Sequence, residues 1–155
     1  LDQAYFREME ALAEESNSDF LKKYVQMLVD AANLRSVVRV LRMGRDANYL
    51  ATVLFHGGSV NESRVLKAAE GEALETVYFA TPFEAAAAAG ASAVHGGSLT
   101  GFEKACDDAV NAYMQQAKYV SAKDNEFTAV RIILTGRLAG LPANVIRERL
   151  RNAYV

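Results

Sequence analysis

Residues 20–44 read FLKKYVQMLVDAANLRSVVRVLRMG, from Phe20 to Gly44, and this stretch decides the fold class. Its apolar residues recur at spacings of three and four, the period of an α-helix. With Phe20 at the origin and about 100° per residue, Tyr24, Met27, Leu28, Ala31, Leu34, Val38 and Leu41 share one sector. Lys22, Gln26, Asp30, Asn33, Ser36 and Arg39 fall on the opposite sector, which reads as a polar face. Asn17-Ser18 precede the stretch as capping residues, and Gly44 follows where a left-handed glycine ends a helix. The expectation is one long helix from after Ser18 to about Met43.

The same period continues on both sides. Tyr5, Phe6, Met9, Leu12 and Ala13 make a short amphipathic helix. Ser59-Val60-Asn61-Glu62 has capping-box spacing, with Ser59 as the expected cap. Thr81-Pro82-Phe83-Glu84 places proline at a first helical position. Thr100-Gly101-Phe102-Glu103 opens a helix with Phe102, Cys106, Ala109, Tyr113 and Val120 along one stripe. Pro142 begins the last helix, carrying Val145, Ile146 and Leu150. Residues 76–80 come nearest to a strand, and no period-two run competes. The fold class is all-α.

The chain also repeats itself. Shifted by 92 residues, segment 33–47 overlays 125–139 without gaps. Asn33/Asn125, Val38/Val130, Arg39/Arg131, Gly44/Gly136, Arg45/Arg137 and Ala47/Ala139 are identical. Both copies read as a helix ending in a glycine, a short loop and another helix. Repeated helical units suggest pseudo-symmetric packing around a shared core; recurrence of helix–glycine–helix segments by composition alone is the alternative. Asn33, Arg39, Gly44, Asn125, Arg131 and Gly136 define the repeat. The units expected are 1–80 and 81–155.

Composition narrows the function. The 155 residues are 51% apolar and 23% charged, an ordinary globular profile. A formal charge of −2 gives no bulk attraction for nucleic acid, although arginines crowd segments 35–45 and 147–151. The single cysteine, Cys106, excludes an internal disulfide and a multi-cysteine zinc site, and fits cytosolic residence. It lies in an apolar stripe and reads as a buried side chain. The most apolar stretch, 83–99, contains Glu84, His95 and glycines, too broken to span a bilayer. The start has no secretory signal and no initiator Met and opens in mid-helix, so a fragment of a longer chain is expected.

Chemistry is scarce. His56-Gly57-Gly58-Ser59 and His95-Gly96-Gly97-Ser98 resemble glycine-rich turns that donate N–H groups to an oxyanion, but no G-x-S-x-G elbow accompanies them. A helix stop followed by an N-cap is the simpler reading. No phosphate loop occurs. The pairs Glu14/Glu15 and Asp107/Asp108 diverge on a helix and read as solvated faces. No catalytic residue, cofactor or metal ligand is assigned. Arg35 and Arg42 do stand out, because they sit inside the apolar sector where the second copy has Phe127 and Leu134. Either their stems cover the core edge, or they meet an acidic or carbonyl-rich partner.

Several strings resemble one family. Phe20-Leu21-Lys22-Lys23-Tyr24-Val25, Asp30-x-x-Asn33-Leu34-Arg35 with Arg39, and Gly57-Gly58-Ser59 are similar to the C subunit of prokaryotic V/A-type rotary ATPases. That subunit is related to subunit d of the vacuolar proton pump. Arg131-Ile132-Ile133-Leu134-Thr135-Gly136-Arg137, Gly140-Leu141-Pro142 and Ile146-Arg147-Glu148-Arg149-Leu150-Arg151, ending Tyr154-Val155, are closer still. The resemblance implies an all-helical, pseudo-threefold funnel, of which this chain is the C-terminal part. It implies a non-catalytic coupling subunit, peripheral on the cytoplasmic face, between the membrane rotor ring (proteolipid) and the central stalk. Arg35, Arg42 and Arg45 would then serve inter-subunit contacts, with Arg39 and Arg131 fixing each repeat. Relatives carry a longer segment near Tyr119–Lys123, so a missing loop is expected between Ser121 and Ala122, where 100–135 otherwise reads as one helix. A helical-repeat adaptor with a soluble partner, and a small hydrolase using a His-Gly-Gly-Ser turn, are the competing readings. The coupled ion, proton or sodium, is chosen elsewhere.

Overall fold

The structure, a computed structural model, describes residues 2–120 and 124–153. Among them run nine α-helices: α1 (Asp2–Glu15), α2 (Asp19–Arg42), α3 (Ala47–Val53), α4 (Glu62–Leu66), α5 (Leu74–Val77), α6 (Glu84–Val94), α7 (Leu99–Val120), α8 (Asp124–Leu138) and α9 (Ala143–Ala153). A 3₁₀ turn, Lys67–Glu70, follows α4. No strand occurs among the described residues, and residues 74–77, where the strand-like run begins, are the helix α5. The loop expected between Ser121 and Ala122 lies outside the described residues.

Contacts divide the chain into two units. The first joins residues 1–23 to 114–155, and the second comprises 24–113. The boundary expected at 80/81 therefore falls inside the second unit, between α5 and α6, which pack on each other.

In the first unit, Ser18 starts α2 as foreseen, its Oγ accepting from Leu21 N–H at 3.3 Å. Met9, Leu12 and Ala13 of α1 are buried, as are Val130 and Ile133 of α8 and Ile146 of α9. Gly136 sits within α8, where an added Cβ would come within 2.9 Å of Ile146. The glycine thus permits α8 and α9 to approach; it does not end the helix.

In the second unit the small face of α6 meets α2 and α7. Gly90 lies so close to Val38 and Phe102 that a Cβ would stand 2.8 Å from the valine. Three expected helix starts move. Asn61 caps α4, its Oδ1 accepting from Ser63 N–H at 2.9 Å, and Ser59 does not. Ser98 caps α7, accepting from Gly101 N–H at 3.0 Å, so that helix starts one residue before Thr100. Thr81-Pro82-Phe83 form a turn ahead of α6, with Thr81 Oγ1 accepting from Phe83 N–H at 3.2 Å.

The repeat is real in the backbone but in another register. After α2, Gly44 N–H bonds to Leu41 C=O and Arg45 N–H to Val40 C=O. After α8, Gly140 N–H bonds to Arg137 C=O and Leu141 N–H to Gly136 C=O. Gly44 and Gly140 both take left-handed φ, 63° and 68°. The next helices start at Ala47 and Ala143. Every one of these pairs is 96 residues apart, not 92. The difference of four residues is about one helical turn. A one-turn slip keeps the apolar stripe on the same face, so side-chain identities align while the helix ends do not. In this register Gly44 pairs with Gly140, Arg35 with Arg131, and Arg42 with Leu138; the contrast of Arg35 with Phe127 disappears, while Arg42 still has a leucine as its counterpart.

Candidate partner interface

The polar face expected on α2 is only partly solvated: Gln26 and Arg39 are exposed, but its middle is covered. Asp30 and Asn33 are each 1% exposed, because the segment from Leu54 to Val60 is laid over them. Asn33 Nδ2 donates to Phe55 C=O at 2.9 Å while its Oδ1 accepts from Phe55 N–H at 2.8 Å. One turn earlier, Asp30 Oδ2 accepts from Ser59 N–H at 3.1 Å and Ser59 Oγ at 2.5 Å, and Oδ1 accepts from Val60 N–H at 3.1 Å. Gly58 passes so near Asp30 Oδ1 that a Cβ would collide with it. Burial raises the Asp30 carboxyl above its ordinary pKa, and the bonds from Ser59 and Val60 offset this only partly. Two short polar side chains thus satisfy backbone groups of a loop that has no ladder of its own. The spacing Asp30-x-x-Asn33 was visible in the sequence, but its partners lie more than twenty residues away along the chain.

The seam between α2 and α7 absorbs one predicted interface residue. Arg35 Nε donates to Glu103 at 2.5 Å and its Nη2 to Asp107 at 2.7 Å. Arg39 reaches the other Glu103 oxygen at 3.5 Å. Burial disfavours the Arg35 charge, yet the bond to Glu103 and the nearby carboxylates more than offset it, leaving the guanidinium pKa raised. Arg35 thus meets an acidic surface, as its chemistry suggested, but that surface is the chain's own α7. The acidic pairs do diverge, each member taking its own cation: Asp108 binds Lys104, Glu14 binds Lys22, and Glu15 binds Arg147.

Arg42 and Arg45 are different. Both are exposed, and neither forms an ion pair among the described residues. Arg45 lies over the Tyr49 ring, 5.4 Å from its centroid, and Asp46 between them caps α3 by accepting from Tyr49 N–H. Met43 is 56% exposed, Leu99 41% and Tyr49 39%. Sequence reasoning missed these three, since exposure of single apolar residues at helix ends leaves no periodic signal.

The remaining predicted residues have structural places. Gly44 has open space around it and ends α2, and Arg131 is exposed on α8. Asn125 lies in α8, but its side chain is outside the described residues. Arg137 lies over the Tyr5 ring at 5.6 Å and pairs with Glu8.

The His-Gly-Gly-Ser turns do not assemble a nucleophile. Ser59 Oγ donates to Asp30, Ser98 Oγ caps α7, and His56 Nδ1 faces Glu62 at 2.5 Å. No serine–histidine pair forms among the described residues. Cys106 is fully buried, and burial pushes its thiol up to about 11, with Arg35 pulling the other way. No group of three metal-ligating side chains comes together among the described residues, and no helix among them is long and apolar enough to cross a membrane.

The side chains that sequence singled out therefore organise helices, or stand exposed at a helix end, within an all-α subunit. The chain belongs to the ATP synthase (C/AC39) subunit family, whose model matches residues 1–149. It is thus a subunit of the C type of the V/A ATPase. Searches of curated proteins and of solved structures returned no match.

Proposed function

We propose that the chain is a non-catalytic coupling subunit, joining the membrane rotor ring to the central stalk on the cytoplasmic face. Membership of the C/AC39 family over residues 1–149 is the observation that carries this reading. The serines of both glycine turns being occupied as a carboxylate donor and a helix cap is consistent with a scaffold. Of the three arginines first considered for inter-subunit contact, Arg42 and Arg45 remain available and Arg35 is engaged internally.

The test is assembly and coupling. Tagged chain is expected to recover ring and stalk subunits from detergent-solubilised membranes. Removing it is expected to leave ATP turnover in the soluble sector while ion transport is lost. Recovery of a soluble complex without ring subunits would replace this reading with that of a helical adaptor.

A further inference from the structure

We infer that the C-terminal end of α2, together with the start of α7, docks a partner segment carrying carboxylates around an apolar anchor. The inference rests on the coupling reading only in taking that partner to be another subunit of the complex.

The geometry follows from the α2–α7 seam. Arg35 meets Asp107 and Glu103, and Arg39 meets Glu103, so the two helices run antiparallel, one step of four residues on each matching the next. Beyond these pairs the seam runs out, with Met43 directly following the last residue of α2 and Leu99 opening α7. There the seam changes character. Its first two turns are closed by ion pairs, and its end presents two large apolar side chains to solvent. Of four exposed large apolar side chains, three (Met43, Leu99 and Tyr49) belong to this end of the second unit.

Charge selects the occupant. Arg42 and Arg45 flank Met43 in sequence and have no carboxylate partner among the described residues. The acids of the seam are committed, Glu103 to Arg35 and Arg39 and Asp107 to Arg35, and Asp46 caps α3; Glu72 and Glu75 line a pocket with Leu41 but pair with neither Arg42 nor Arg45. The last carbonyls of α2 add negative character that favours cations there, yet Arg42 and Arg45 still offer guanidinium donors outward. Arginine, tyrosine and methionine around an apolar pair are the composition enriched in interface cores. A carboxylate-bearing helix or strand would complete both arginines and cover Met43 and Leu99; a basic segment would meet like charge.

The experiment uses the full chain and two synthetic helical peptides with the same leucine face, one flanked by glutamates and one by lysines. Fluorescence anisotropy should show the glutamate peptide binding, less tightly as salt rises. Arg42→Glu/Arg45→Glu should weaken it about ten-fold or more, and Met43→Ser several-fold with no change of charge. Arg7→Glu and Arg151→Glu, exposed cations of the first unit, control for net charge and should leave it unchanged. Equal binding of both peptides, no binding, or indifference to the Arg42/Arg45 reversal in a chain whose helical circular dichroism is retained overturns the surface. Sedimentation with phosphatidylserine vesicles that depends on the same arginines, without glutamate-peptide binding, would assign the patch to lipid and also overturn it. Assembly separates the two readings. If the wild-type chain enters the ring-and-stalk complex and the double reversal does so equally, the surface is wrong and the coupling role stands. If the wild type stays out, the coupling role is wrong, and the peptides still decide the surface.

Discussion

Replacing Asn33 by alanine isolates the clamp that holds residues 54–60 on α2. The side chain is 1% exposed and makes two hydrogen bonds to the backbone of Phe55, at 2.8 and 2.9 Å. Each is worth about 1 kcal/mol net, and leaving a half-buried N–H and C=O without partners adds about another 1 kcal/mol. Against this, alanine is a better helix former than asparagine by roughly 0.6 kcal/mol. The loss should therefore be about 2 kcal/mol, or roughly 4–8 °C in Tm for a chain of this size. Urea unfolding followed by circular dichroism measures the first, and hydrogen exchange at Phe55 N–H should show its protection lost. Asn33→Asp, although isosteric, should cost more than alanine. It trades the donor to Phe55 C=O for a second buried carboxylate one turn from Asp30. A loss below about 0.5 kcal/mol for Asn33→Ala, with Phe55 protection intact, would refute the clamp.

Three further outcomes follow from the same geometry. Gly90→Ala should destabilise by about 1–3 kcal/mol in urea, because its methyl would enter the space of Val38 and Phe102; a neutral change would show that α6 can back away. Asp30 has its folded pKa raised above the ordinary 3.8, so its contribution to stability is fully present below that value and is lost as pH rises through the folded pKa. Asp30→Asn should flatten that part of the stability–pH curve, and an unchanged slope would exclude Asp30 as its source. Cys106, buried and with its thiol raised to about 11, should resist a thiol-specific disulfide reagent at neutral pH and react at once in denaturant; rapid reaction in the folded chain would contradict its burial.

How much was legible from the chain differs by kind of feature. The helix α2 and its ends followed from spacing and capping, since both are local: a period of three and four, Ser18 before it and Gly44 after it. The start of α4 did not, because Ser59 matches a cap in sequence while its hydroxyl is drawn to Asp30, a residue on another helix. The repeat was detected in the wrong register for a related reason. Residue identities along a helix tolerate a one-turn slip, whereas the backbone bonds at Gly44 and Gly140 do not.

What the sequence determined alone was the all-α class and the family. Periodicity, caps and family motifs are written in neighbouring residues, and a helix satisfies its own backbone. Tertiary structure decided what each polar side chain of α2 is for. Asp30 and Asn33 fall on the sector that a wheel assigns to solvent, yet a distant loop covers them because its unpaired N–H and C=O groups need partners away from water. Nothing local in the chain says which of Arg35, Arg39, Arg42 and Arg45 finds a carboxylate. Only the antiparallel approach of α7 brings Glu103 and Asp107 to the first two, and its start at Leu99 leaves Arg42 and Arg45 outside that seam.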